Sequence, residues 1–273
     1  MTPRAGLLVL ALCAAAAVDG LAQSVADLLH VRRNTGQEVV PVFEGWEPNA
    51  DGTLSLYFGY QNRNWEQDVD VPLGPDNFFA PGPRDRGQPT HFLRRRHKIN
   101  FAVEVPHDFG DRELVWTLSV NGRTERAVAS LTDAGGRGQY SPQYQISKSD
   151  WPPTGNRAPT LTPGPAQTVV FPREATVVAT VRDDGLPRRS PPALTVSWRK
   201  YRGPGDVTFD DAAPPLAASG ESRAMATFSA PGVYLLQALA DDGSMLTASS
   251  GSGVPGYTCC WTTATVQVTV TSR

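Results

Sequence analysis

From Val39 onward the apolar residues recur largely at every second position, and no stretch there keeps a helical period over three turns. That pattern predicts strands and excludes a helical bundle. In the first half, VVPVFEGW from Val39 and TLSLYFGYQNRN from Thr53 flank the turn Asn49-Ala50-Asp51-Gly52, where Asp-Gly is a hairpin signal. Further strands are predicted at Asp68–Val71, as one long run from His91 to Pro106, at Glu113–Val120, and in RTERAVASL after the Asn121-Gly122 turn. Ser24–Arg33 suits either two helical turns or the approach to a strand. In the second half the runs are TVVF, ATVVATVRDDG, ALTVSWRKYRG, ATFSAPGVYLLQALADDG and ATVQVTVTS, each closed by Gly, Pro or Asp. Residues 132–155 hold AGGRG, Tyr-Ser-Pro-Gln-Tyr and DWPPTG without periodicity, and read as a Gly/Pro-rich linker. The expected architecture is all-β: two antiparallel β-sandwich domains in tandem, residues 23–131 and 156–273.

The start of the chain predicts export. Met1–Arg4 is a short positive stretch, Ala5–Val18 is apolar, and Gly20 and Ala22 place small residues at the −3 and −1 positions of a cleavage site before Gln23. Residues 1–22 therefore read as a signal peptide. A retained anchor is the competing reading; the run is short of the roughly 20 residues a spanning helix needs and Asp19 ends it. Arginine far outnumbers lysine and alanine is abundant, a bias associated with high-GC bacteria, so the expected address is periplasmic or extracellular. With 25 basic and 27 acidic side chains the net charge of −2 gives no electrostatic footprint for nucleic acid.

The series NRAPTLTPGP, VRDDGLP, LTVSWRKYRGPGDVTF, ATFSAPGVYLLQALADDG and VQVTV, from about Asn156 to Ser272, resembles the polycystic-kidney-disease (PKD) type of immunoglobulin-like domain. The resemblance implies structural roles for Trp198, in the core between the sheets, and Tyr234, in a tyrosine-corner-like bond. The chain departs from that pattern in a longer loop from Asp210 to Arg223. Through FEGWEPNADGTLSLYFGYQNRNWEQ, PRDRGQPTHFLRRRHKINFAVEVPHDFG and ELVWTLSVNG, the first domain is similar to the N-terminal half of secreted bacterial proteins of unassigned function. A fainter resemblance, in size and two-sandwich plan, is to extrinsic periplasmic subunits of bacterial photosynthetic reaction-centre complexes.

No catalytic constellation stands out. A G-x-S-x-G elbow is absent, and the four histidines all fall in the first part of the chain. His91 and His97, six residues apart on one strand, are expected about 20 Å apart, too far to share an ion. Asp183-Asp184-Gly185 and Asp241-Asp242-Gly243 read as strand terminators before they read as calcium ligands. No cofactor, no metal and no enzymatic activity are expected. Cys259-Cys260 is either a strained vicinal disulfide or a pair of thiols on opposite strand faces, a structural feature in both cases.

Function is then expected to reside in surfaces. The candidate partner-binding residues are Trp65, in the polar stretch YQNRNWEQ, and Arg94, Arg95 and Arg96, the densest cationic group. The competing reading of the arginines is a sheet edge blunted by cations. The aromatics Trp46, Tyr57, Phe58, Tyr60, Trp65, Phe78 and Phe79, near Asn62, Arg63 and Asn64, leave open an exposed aromatic platform for protein or glycan. The leading expectation is a non-enzymatic scaffold or accessory subunit that docks on a protein partner in an envelope assembly; the alternative is a carbohydrate-binding or cell-surface adhesion module.

Overall fold

The computed structural model describes residues 33–131, 156–186, 194–243 and 260–272. The signal peptide expected at residues 1–22, most of Ser24–Arg33 and the linker expected at 132–155 lie outside the described residues. Every named element is a strand, and the chain is two tandem β-sandwiches of immunoglobulin-like type.

The first domain is built from β1 (Val39–Pro48), β2 (Leu54–Asn62), β3 (Val69–Asp70), β4 (Asn77–Ala80), β5 (His91–Phe92), β6 (Arg95–Val105), β7 (Glu113–Val120) and β8 (Arg123–Ser130). One sheet has the order β1-β2-β6, the other β4-β7-β8, with β3 and β5 pairing as a short ribbon. All these pairings are antiparallel. Between the sheets Phe58 stacks on Phe101 and meets Phe79 and Trp116 edge-on, so alternating apolar residues from both sheets form one aromatic core. Asn77 is buried at its margin: it donates to the Val71 and Pro89 carbonyls and accepts from the Trp116 indole N–H. Asn121 and Gly122 join β7 to β8 with φ of 52° and 75°, the left-handed pair a primed two-residue hairpin turn requires.

The run expected from His91 to Pro106 is two strands, because β5 pairs with β3 whereas β6 pairs with β2, and the chain turns between them with Arg95 at φ 77°. β4 has only four residues, too few to display a period.

The second domain comprises β9 (Thr160–Pro163), β10 (Gln167–Val170), β11 (Ala175–Arg182), β12 (Thr195–Arg202), β13 (Val207–Phe209), β14 (Glu221–Phe228), β15 (Gly232–Asp241) and β16 (Trp261–Thr271). Its sheets are β10-β16-β15-β12 and β13-β14-β11-β9. The antiparallel expectation is corrected at one pair: β10 runs parallel to β16, whereas β9, just before it, is antiparallel to β11. Gly164 and Pro165 lie between the two strands, and there the segment leaves one sheet and joins the other. β9 and β13 are too short for a period, and the loop expected to run to Arg223 ends earlier, at the Glu221 start of β14.

Trp198 lies in this core at 3% exposure, its indole N–H donating to the buried Ser222 hydroxyl. The Tyr234 hydroxyl donates to the Ala230 carbonyl four residues upstream and accepts from Gly205 N–H, a tyrosine-corner arrangement.

Candidate functional site

Of the four residues singled out for docking, the fold gathers three. β2 ends at Asn62, which pairs with Arg95 at the start of β6, so Trp65 and Arg94–Arg95 arrive at the same end of the first sandwich. The Arg95 guanidinium lies 3.6 Å from the centre of the Trp65 ring, a cation–π contact, on a backbone in a region that non-glycine residues rarely occupy. Arg94 is exposed, and its N–H is anchored at 2.7 Å by the Asp68 carboxylate. On the same rim Glu38 is 3% exposed and takes Arg63 at 2.6 Å and Arg123 at 3.5 Å, both arginine side chains being largely exposed. Burial acts to raise the Glu38 pKa, but the Arg63 hydrogen bond, together with the charges of both arginines, outweighs it and holds the carboxyl low.

Arg96 is the correction. It does not join the exposed group: its guanidinium turns back over the sheet to Glu44 at 2.5 Å and to the carbonyls of Tyr60 and His97. Strand alternation sends it to the opposite face from Arg95, where the β1 bulge at Phe43–Gly45 offers a carboxylate. β6 is one of the two edge strands of its sheet.

The aromatic platform is also corrected. Trp46, Tyr57, Phe58, Tyr60 and Phe79 are buried, Trp65 and Phe78 half-buried. Tyr57 lies outside the core cluster and donates its hydroxyl to Glu47. Asn62 and Asn64 are fully buried: Asn62 donates to the Gln67 and Phe92 carbonyls and accepts from Asn64, which pins the chain that carries Trp65.

No local motif in the sequence marks a seam between the two domains. Tyr201, on β12 of the second domain, is buried among core residues of the first, its hydroxyl donating to Gly87 O at 2.6 Å while Thr90 N–H donates to Tyr201 O at 3.1 Å. Around it, Lys200 meets Asp70 at 2.8 Å, and Arg202 grips Asp85 through two hydrogen bonds of 2.7 and 3.0 Å and reaches Gln88 O. A β-bulge between Lys200 and Arg202 breaks the alternation that would otherwise separate these side chains. Arg199 donates to His97 Nδ1 at 3.3 Å, and His97 Nε2–H donates to Arg94 O. His97 is stacked on Tyr60; burial first, and Arg199 beside it second, push its pKa down to about 4, so it is neutral. His91 meets the same Asp70 carboxylate as Lys200. Burial tends to raise the Asp70 pKa, but its bonds to His91 and Lys200 prevail and lower it.

At the far end of the second domain, Asp183, Asp184 and Asp241 each accept a hydrogen bond from a backbone N–H within their own turn, and Asp242 accepts from Asn156 at 2.7 Å. Burial, with the charges of Asp184 and Asp242, raises the Asp183 pKa. Among the described residues no group of three or more His, Cys, Asp or Glu is arranged to hold a metal ion. Cys260 is buried and disulfide-bonded; Cys259 lies outside the described residues.

No protein-family model and no curated protein matches the chain. Among solved structures it is similar to the D00–D0 domain of Intimin, with TM-score 0.26 and 10% identity over 85% of this chain and 96% of that one. It is similar also to the D0–D1 domain of Intimin, with TM-score 0.25 and 11% identity over 85% and 95%. Likeness of this degree carries no statement about what the chain does.

Proposed function

We propose that the protein is a non-enzymatic, exported binding module of the cell envelope or surface, in which the rim of Trp65, Arg94 and Arg95 engages a partner and the second domain holds that rim in a fixed orientation. The observation that carries the reading is the Arg95 guanidinium stacked on Trp65 from a left-handed backbone, beside the exposed Arg94. Such geometry persists only where surrounding contacts over-determine it, here the Asn62–Asn64 network and the Asp68 anchor, and Trp and Arg are the residue types in which binding energy concentrates. The seam supports the second half of the proposal, since β12 is tied to the first domain by a buried tyrosine and three cationic side chains. An adhesion-type module fits this arrangement, and no observation favours a photosynthetic partner.

The test is retention of the intact protein on native envelope fractions. R94Q/R95Q and Trp65→Ala should each weaken retention by roughly tenfold or more, the scale of one lost charge-assisted contact, with melting unchanged. Wild-type retention by both folded variants would overturn the reading.

A further inference from the structure

We infer that the rim recognises a linear acidic polysaccharide, its carboxylate or sulfate groups pairing with Arg63, Arg94, Arg95 and Arg123. This rests on the docking reading above and names its partner class. Three observations carry it. First, Arg63 and Arg123 share the single buried Glu38 carboxylate, with side chains 58% and 67% exposed, so two positive charges there face one compensating anion. Second, the Arg95 guanidinium is held over the Trp65 ring, 3.6 Å from its centre, by a cation–π contact that consumes none of its N–H donors on a carboxylate, and a guanidinium fork is suited to binding an oxyanion through two hydrogen bonds. Third, the nearby Asp68 is engaged by the Arg94 backbone N–H, and among the described residues no carboxylate pairs with the Arg94 or Arg95 side chain.

Arg123 and Arg63 meet on Glu38, and Arg63 directly follows Asn62, which pairs with Arg95, so the cations succeed one another along the rim rather than converging on a point. A row of guanidiniums suits a polymer with anions at regular intervals. The chain's net charge of −2 leaves this rim as a local attraction, not a global one.

The experiment measures binding of the intact protein to immobilised polygalacturonate and dextran sulfate, with neutral dextran as control and vesicles of anionic phospholipid in parallel. Retention is expected on both acidic polymers and not on neutral dextran, lost by about 0.5 M salt, where the Debye length is roughly 4 Å. R94Q/R95Q and R63Q/R123Q should each weaken it by about tenfold or more, whereas R223Q, an exposed arginine of the second domain, should not. No retention on either polymer, or retention indifferent to the rim variants, overturns the inference. Rim-dependent binding to the vesicles alone also overturns it. If envelope binding needs Arg94 and Arg95 but soluble polygalacturonate and dextran sulfate do not compete, the polysaccharide assignment fails and the docking reading stands.

Discussion

Arg96 shows how a single residue escapes local reading. It sits in an unbroken cationic run, but its carboxylate partner Glu44 is 52 positions away and is brought into place by a bulge in another strand. Gly59 lies beneath this pair: a Cβ there would run into the Glu44 carboxylate and the His97 carbonyl. Gly59→Ala is therefore expected to destabilise the first domain by about 1–3 kcal/mol, measurable by chemical denaturation. The buried asparagines Asn62, Asn64 and Asn77 were illegible for the same reason, since their partners are carbonyls fixed only by the fold. Trp198 is different in kind. Its motif is local and its surroundings are apolar, and Trp198→Ala should cost about 3–5 kcal/mol, read as an early separate melting transition of the second domain.

At the scale of elements, alternation and turn residues made the longer strands legible, because one buried face imposes a period of two on any strand of about eight residues. β3 falls within the strand expected at Asp68–Val71, whereas the short strands β4, β9 and β13 hold three or four residues and their pairing is decided by neighbours. β12 carries information of another sort: its Arg-Lys-Tyr-Arg sequence resembles an ordinary half-exposed strand, and only the first domain's Asp70, Asp85 and Gly87 make it a seam. His97 gives that seam a pH dependence. Its pKa is about 4 in the fold against 6.5 for the free side chain, so the unfolded chain takes up a proton that the folded one refuses. The resulting stability is complete above pH 6.5 and is lost as pH falls from there to about 4, by about 3 kcal/mol at most. Asp70 and Asp85, whose pKa values are lowered, add a loss that begins as pH falls through the ordinary carboxylate range, where the unfolded chain's carboxylates take up protons first. Melting followed from pH 8 to 4 should show this decline, and His97→Gln should flatten its upper part.

For the whole molecule, the seam makes two sandwiches one body. Tyr201→Ala with Lys200→Ala should release the domains: small-angle scattering should show a larger radius of gyration, and each domain should keep its own strands. Sequence patterning conveyed the tandem all-β plan because it is written in period and punctuation. It did not convey the relation between the domains, which depends on contacts between residues more than a hundred positions apart. The claim that joins these scales is that partner contact occurs at the arginine rim. Hydrogen exchange of the intact protein, with and without native envelope fraction, tests it most directly. The account predicts protection concentrated at residues 62–66, 93–96 and 121–124, with the second domain's 210–220 loop unchanged. Protection of that loop with the rim exchanging as in the free protein would contradict it.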